Sequence, residues 1–271
     1  MSSSSRPPSS ADLRSVADEW PAVYDRFTSL RGGNELGEYL TQQLPDRRTR
    51  AVDLGTGPGR HAAVLAEHFD YVLAVDNDEA MIRYARLHRP APNVEYVRLD
   101  LRHVNVSDFA PFDFVASVMV VHHIPDLVPA LVQIRDLVAV GGIVVLVDRV
   151  DERGRVPRAW LIEEASRALR ADLDDGRPQA EAAARYEAST HPTLLDRFSS
   201  DTFLPPGEFE RYYGGVFQGA TFTPLLGGLG MGMWWRREAE GDPPWPLRGG
   251  VARDMWWQRE TDNEARWHPP A

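Results

Sequence analysis

The rhythm of apolar positions changes twice along the chain. Up to about Leu44, apolar residues recur at helical spacing through ADLRSVADEWPAVYDRF and ELGEYLTQQL. Pro21 is expected to interrupt the first helix, and Gly32-Gly33 to separate the two. From Arg50 the pattern becomes short β-rich runs alternating with helical ones: RAVDLG, then GRHAAVLAEHF; YVLAVD, then EAMIRYARLH; VEYVRLD; FDFVASVMVV, then LVPALVQIRDLVA; and GIVVLVD. Strands apolar on both faces, each followed by a helix, predict an α/β fold with a mostly parallel, helix-covered sheet.

Beyond Asp148 the alternation stops. A mostly helical stretch is expected from about Val156 to Ala188, then a loop STHPTLLDRFSSDTFLPPGEF, then a helix end at RYYGGVF. ATFTPLL, GGLG and MGMWWRRE read as strand, turn and strand, a closing hairpin. The expected organisation is a disordered tail over 1–10, a helical lid over 11–45 and a core over 46–150. A cap insertion follows over 151–208, then a closing helix end and hairpin over 209–240, and a Pro/Trp-rich tail over 241–271. The echo between MWWRRE at 233–238 and MWWQRE at 255–260 is too short to make a repeat array.

With 271 residues, 43% apolar and 26% charged, the chain is long enough for one sizeable α/β core. Its net charge of −10 speaks against a nucleic-acid-binding face. There is no cysteine, which removes disulfides, thiolate zinc sites and thiolate nucleophiles. There is also no lysine, since all thirty basic residues are arginine, so Schiff-base chemistry and a P-loop lysine are excluded. Such usage accompanies GC-rich bacterial genomes. MSSSSRPPSS lacks the apolar core of a signal peptide, and no run reaches membrane-spanning length, so a cytoplasmic protein without membrane contact is expected.

The chemistry concentrates at strand ends. AVDLGTGPGR sets Asp53 at the end of the first strand, followed by Gly55, Gly57 and Gly59 in a loop entering a helix. Glycines there permit positive φ and close approach of a ligand to the backbone. A dinucleotide fingerprint requires a further glycine where this chain has Arg60. VLAVDNDEAM ends the second strand with Asp76, a carboxylate placed to accept both hydroxyls of a ribose, and VRLDL ends the third with Asp100. Any one aspartate alone reads as a helix cap or surface carboxylate. Three at consecutive strand ends lie where open parallel sheets bind ligands.

This order and spacing resembles the class I S-adenosylmethionine-dependent methyltransferases, closely over Ala51 to Asp148 and loosely to Glu238. The resemblance implies a Rossmann-like, seven-stranded sheet whose last strand is antiparallel, with S-adenosylmethionine as cofactor. Gly55, Gly57 and Gly59, with Asp53 nearby, would then hold the methionine part and Asp76 the ribose. Asn77 and Met81 would flank the adenine, Asp100 and the backbone of Leu101 would bind its amino edge, and Val118 would lie under the sulfonium. The chain lacks the Asn/Asp-Pro-Pro-aromatic motif of amino-methylating DNA enzymes. Nor do Val118 and DRVD at 148–151 match the metal-dependent catechol type, so no metal is expected.

What remains is transfer to an oxygen or nitrogen of a small, aromatic or natural-product acceptor, by a monomer or homodimer. A base helps when the acceptor is a hydroxyl. VYDRF resembles the segment whose tyrosine covers the donor in related small-molecule enzymes, which makes Tyr24 a candidate. Trp20, Trp160, His191, Phe198, Phe203, Tyr212 and Tyr213 are candidates for an aromatic cap or for plain core. The adjacent His122 and His123 in SVMVVHHIPD, read as strand residues, point to opposite sides, which argues against a shared metal. They mark the rim of the donor pocket, as packing residues or, His122 foremost, as a general base. Asp126 is expected to cap the next helix. A protein of this fold that binds the donor but catalyses another reaction, such as a cyclisation, or partners another enzyme, stays open as the alternative.

Overall fold

Five to seven consecutive apolar or β-branched residues cannot keep one face wet, so such runs become strands buried on both sides. In the computed structural model these are β1 (Arg50–Leu54), β2 (Tyr71–Asp76) and β4 (Phe112–Val118), with the longer β5 (Val138–Arg149), while β3 (Val94–Arg98), at the sheet edge, buries only Tyr96. The structure describes residues 10–31, 33–103 and 111–238. The predicted tails, with Trp245, Trp256, Trp257 and Trp267, lie outside these, apart from Ser10 at the start of the first helix.

Between the strands run α3 (Arg60–Ala66), α4 (Glu79–His88) and α5 (Leu127–Leu137). Asp78 caps α4 by accepting from the Ala80 N–H at 2.8 Å. Asp126 occupies the corresponding position before α5, but its side chain makes no capping bond, contrary to expectation. The chain closes with β6 (Thr221–Leu225) and β7 (Gly230–Arg236), the hairpin read from the sequence. The sheet order is β3-β2-β1-β4-β5-β7-β6, with β7 antiparallel to both of its neighbours. Succession reverses between β1 and β4, so a crevice opens outside their carboxyl ends.

Alternate residues of β5 face opposite layers. Ile143, Val145 and Val147 join a core with Leu40, Leu65 and Ile82 from the helical layer of α2 (Gly33–Thr41), α3 and α4. Val144 and Leu146 are equally buried, on the side where α5 and α9 (Pro206–Val216) pack against the sheet and each other. No helix among the described residues is long and apolar enough to cross a membrane.

Two further expectations fail. Helix α1 (Ser10–Arg31) runs on through Pro21. A mid-helix proline forfeits one backbone bond, and here buried Trp20, packed with Met81 and Leu194, holds the helix in tertiary contact. The stretch read as a loop after Ala188 contains α8 (Pro192–Ser200) and the start of α9. Pro192 opens α8 at a position suited to proline, and Leu194, Leu195 and Phe198 form its apolar stripe. With α6 (Arg158–Asp174) and α7 (Gln179–Ser189), α8 packs into a cap against α1.

Arg60, which stands where a dinucleotide loop needs glycine, ties α1 to the core. Its Nε donates to Asp25 Oδ1 at 2.6 Å; Arg89 Nη2 donates to the same oxygen at 2.6 Å, and the Tyr84 hydroxyl to Oδ2 at 3.0 Å. Burial opposes the Asp25 charge, but the two guanidinium groups win and hold its pKa below the ordinary value. This contribution is complete above the unfolded-state pKa of about 4 and is lost as pH falls through the lower folded value. Asp25→Ala leaves two poorly hydrated arginines and should weaken the docking of α1 by about 3 kcal/mol. Hydrogen exchange will show α1 amides exposed while β1 and β4 stay protected.

Candidate active site

A cavity of about 860 Å³ occupies the crevice. Gly55, Gly57, Asp76, Asn77, Met81, Asp100, Leu101 and Val118 line it, as do Tyr24, His122 and His123. Gly59 and Asp53 do not, although the sequence places both at the site. Gly59 sits against Ala85 and Tyr96, at the left-handed start of α3. Asp53 is buried beneath the glycine loop: the Thr56 hydroxyl donates to its Oδ2 at 2.6 Å, Oδ1 has no partner among the described residues, and burial pushes its pKa up to about 6.

Asp76 is arranged as a receptor. Its Oδ2 accepts the Gly57 N–H at 2.8 Å and Oδ1 the Asp78 N–H at 2.9 Å. An ionised carboxylate has about four acceptor positions, so acceptor capacity remains for a ligand diol. Burial raises its pKa against the pull of these backbone donors. Asp100 holds the Arg102 guanidinium, which bonds to both of its oxygens, at 3.0 Å to Oδ1 and 2.6 Å to Oδ2, and also lines the cavity. Tyr24 covers Gly57, with its ring 3.9 Å from where a side chain there would begin. Burial, then the charges of Asp148, Asp76 and Asp201, push its hydroxyl up to about 12, so Tyr24 stands as a neutral phenol between these carboxylates.

The histidines are not on a strand. Met119, at φ 60, takes the chain out of β4 in the left-handed conformation, and Val121–His123 form a 3-10 turn. Their rings therefore lie together, with centroids 3.9 Å apart, instead of on opposite sides. Asp201 faces both, 3.9 Å from His122 Nε2 and 3.5 Å from His123 Nδ1. The three side chains could hold a metal ion, which the strand reading of the sequence argued against.

Behind His122 lies Asp148, at the end of β5, a residue the sequence reading passed over. Its Oδ1 is hydrogen-bonded to His122 Nδ1, and its Oδ2 accepts the His122 N–H at 2.9 Å. The Asp148 side chain is 3% exposed and that of His122 9%, whereas His123 is 55% exposed. Burial disfavours the imidazolium, but the charge and hydrogen bond of Asp148, helped by Asp201, outweigh it and raise the His122 pKa above 6.5. His123 is lowered by burial and by His122. A carboxylate on Nδ1 leaves Nε2 as the free basic atom. Tyr213 presses on the same carboxylate from α9, its own pKa far above 10 through burial and Asp148.

The signal for Asp148 was present: it ends a parallel strand, GIVVLVD, by the rule that found Asp53, Asp76 and Asp100. Asp113, at the opposite end of β4, is buried too, but its oxygens take Arg47 Nε at 2.5 Å and the N–H groups of Thr49 and Arg50. It is a structural acid. Of the predicted aromatic cap, Trp20, Phe198 and Phe203 line the cavity, while Trp160, His191, Tyr212 and Tyr213 do not.

Known proteins resemble this chain in sequence over part of its length and in fold over most of it. A family described as a methyltransferase domain matches residues 52–146. An uncharacterised methyltransferase of Mycobacterium tuberculosis is 34% identical over 108 residues, 40% of this chain and 54% of that protein. A ubiquinone biosynthesis O-methyltransferase of Xylella fastidiosa is 30% identical over 94 residues, 33% of this chain and 37% of its own length. The chain thus matches only 37–54% of these curated relatives' length. Among solved structures, the DhpI–SAH complex shares the fold, with TM-score 0.55 and 21% identity over 84% of this chain and 95% of that one.

Proposed function

We propose that this chain, whose residues 52–146 match a methyltransferase domain, is a class I S-adenosylmethionine-dependent enzyme that methylates an oxygen of a small molecule, with His122 as general base. The observation that carries the proposal is the Asp148–His122 pair, with His122 lining the same cavity as Asp76, Asn77 and Asp100. At about 860 Å³ the cavity lies in the upper range of ligand clefts, about 300–1,000 Å³.

The residues suit the cofactor. Asp76 keeps acceptor capacity for the ribose diol, Asp100 and Leu101 meet the adenine, and Gly55 and Gly57 give the methionine part a surface without side chains. S-adenosylmethionine supplies a methyl group on a positively charged sulfur, already activated for in-line displacement. The protein must align the acceptor and exclude water. Tyr24 and the α1 lid close the donor side. His122 Nε2 takes the hydroxyl proton, and Asp148 stabilises the imidazolium that results. The cap of α6, α7 and α8 supplies acceptor contacts.

S-adenosylmethionine should raise the melting temperature of the protein by about 5 °C or more at saturating concentration, and Asp76→Ala should abolish the shift. A melting curve unchanged at millimolar ligand overturns the cofactor assignment. Mass spectrometry of acceptor mixtures, read as a gain of one methyl group, then separates methyl transfer from a non-methylating reaction on the same fold.

One observation favours a second reading. His122, His123 and Asp201 are close enough to bind a divalent cation, which would orient the acceptor hydroxyl directly. Loss of activity in EDTA, restored by a divalent cation, selects that reading; indifference to EDTA selects the base.

A further inference from the structure

Arg149 follows Asp148 on β5, and its side chain enters the cavity. Its guanidinium lies over the rings of Phe203, at 5.0 Å, and Trp160, at 5.7 Å. Phe203 also touches His122, with ring centroids 5.0 Å apart. Nε and Nη2 of Arg149 are buried, and neither has a hydrogen-bond partner among the described residues. The acids whose charge it feels are engaged elsewhere: Asp151 with Arg153 at 2.8 Å, Glu164 with Arg167 at 2.9 Å, and Asp201 facing the histidines.

Burying donors without acceptors is costly, and burying them on a charged group more so. Nε and one Nη of a guanidinium form the fork that grips a carboxylate or phosphate through two parallel bonds. Packed over two aromatic rings, this fork has little freedom left to lose on binding.

We propose that Arg149 binds an oxyanion group, carboxylate or phosphate, of the acceptor and so presents the acceptor's hydroxyl to His122. The anion site stands on Arg149 alone; its assignment to the acceptor rests on the methyl-transfer reading.

Thermal unfolding at constant ionic strength tests it, with chloride, benzoate or phosphate as the varied anion and S-adenosylhomocysteine in a separate arm. Millimolar benzoate or phosphate should raise the melting temperature by about 2–6 °C over chloride, and Arg149→Gln should remove the rise. A response to benzoate alone identifies a carboxylate site, and to phosphate alone a phosphate site. Arg149→Met deletes the unpartnered donors while keeping an apolar stem on the rings, so it should unfold at a higher temperature than the parent in chloride. The proposal is overturned if the parent protein responds to neither anion, if Arg149→Gln still responds, or if Arg149→Met is less stable than the parent. S-adenosylhomocysteine should stabilise all three proteins. Its failure to do so refutes the methyl-transfer reading and leaves the anion result to stand or fall by itself.

Discussion

His122→Ala should slow methyl transfer by about 10²–10⁴-fold, the usual contribution of a positioned general base, and leave donor affinity within a few-fold of the parent. The proposed donor residues Asp76, Asn77 and Asp100 come from other strand ends, and Asp76 takes its hydrogen bonds from the Gly57 and Asp78 N–H groups, not from His122. His122→Asn is the companion variant, because an amide can still donate to Asp148 but cannot accept the proton. Equal loss of rate and donor affinity would show that the histidine only supports the pocket. The pH profile adds an independent reading. The rate should rise as His122 loses its proton, through a pKa above 6.5 because Asp148 holds the charged form. Asp148→Asn should move that limb to lower pH while reducing the plateau. Stability follows the opposite direction: a raised histidine pKa stabilises fully below the unfolded-state value of about 6.5, and the contribution fades as pH climbs through the folded one.

Gly55→Ala should be the most damaging single-carbon change among the described glycines. At φ +74 an L-residue is strained, and the added Cβ would lie 2.2 Å from Val120 Cγ2 and 2.9 Å from Val120 Cβ. The left-handed conformation costs about 1–2 kcal/mol, and overpacking costs about 1–3 kcal/mol. Together they amount to about 2–5 kcal/mol, a large share of a typical folding free energy of about 5–15 kcal/mol. The overlap can be relieved only by moving Val120, which opens the turn bearing His122. Donor-induced stabilisation and turnover should therefore fall together, unlike the split expected for His122→Ala. Gly207→Ala, in α9 with nothing within 4 Å of its added carbon and no positive φ, should be close to neutral. If calorimetry finds the two variants equally stable, the tightness of the loop against Val120 is wrong.

The signals that could be read from sequence were local ones. Strand–helix alternation located β1 to β5, and the rule that ligands sit at carboxyl ends of parallel strands selected Asp76 and Asp100. The closing hairpin was legible from its turn residues. What escaped depended on tertiary context. The left-handed Met119 converts an apparent strand into a turn and swings two histidines to one side, which no periodicity reports. Helix α8 looked like a loop because prolines and serines flank a single short apolar stripe. Asp148 ended a strand as the other acids do, but its meaning came from His122, twenty-six residues earlier. Arg149 stands out only for the partners it lacks, and that is visible only once every neighbour is in place.

Asp148 and Arg149 are consecutive residues of β5, paired with Met231 and Gly230 of β7 and lying just past Val147, the last residue paired with β4. The group that orients the base and the proposed anion grip are therefore separated by one peptide unit that has little freedom to flex. The end of β5 acts as a fixed gauge between the acceptor's charged end and the oxygen that reacts. An acceptor bearing several hydroxyls should then yield one regioisomer, chosen by its distance from the anionic group and not by the acidity of the hydroxyl.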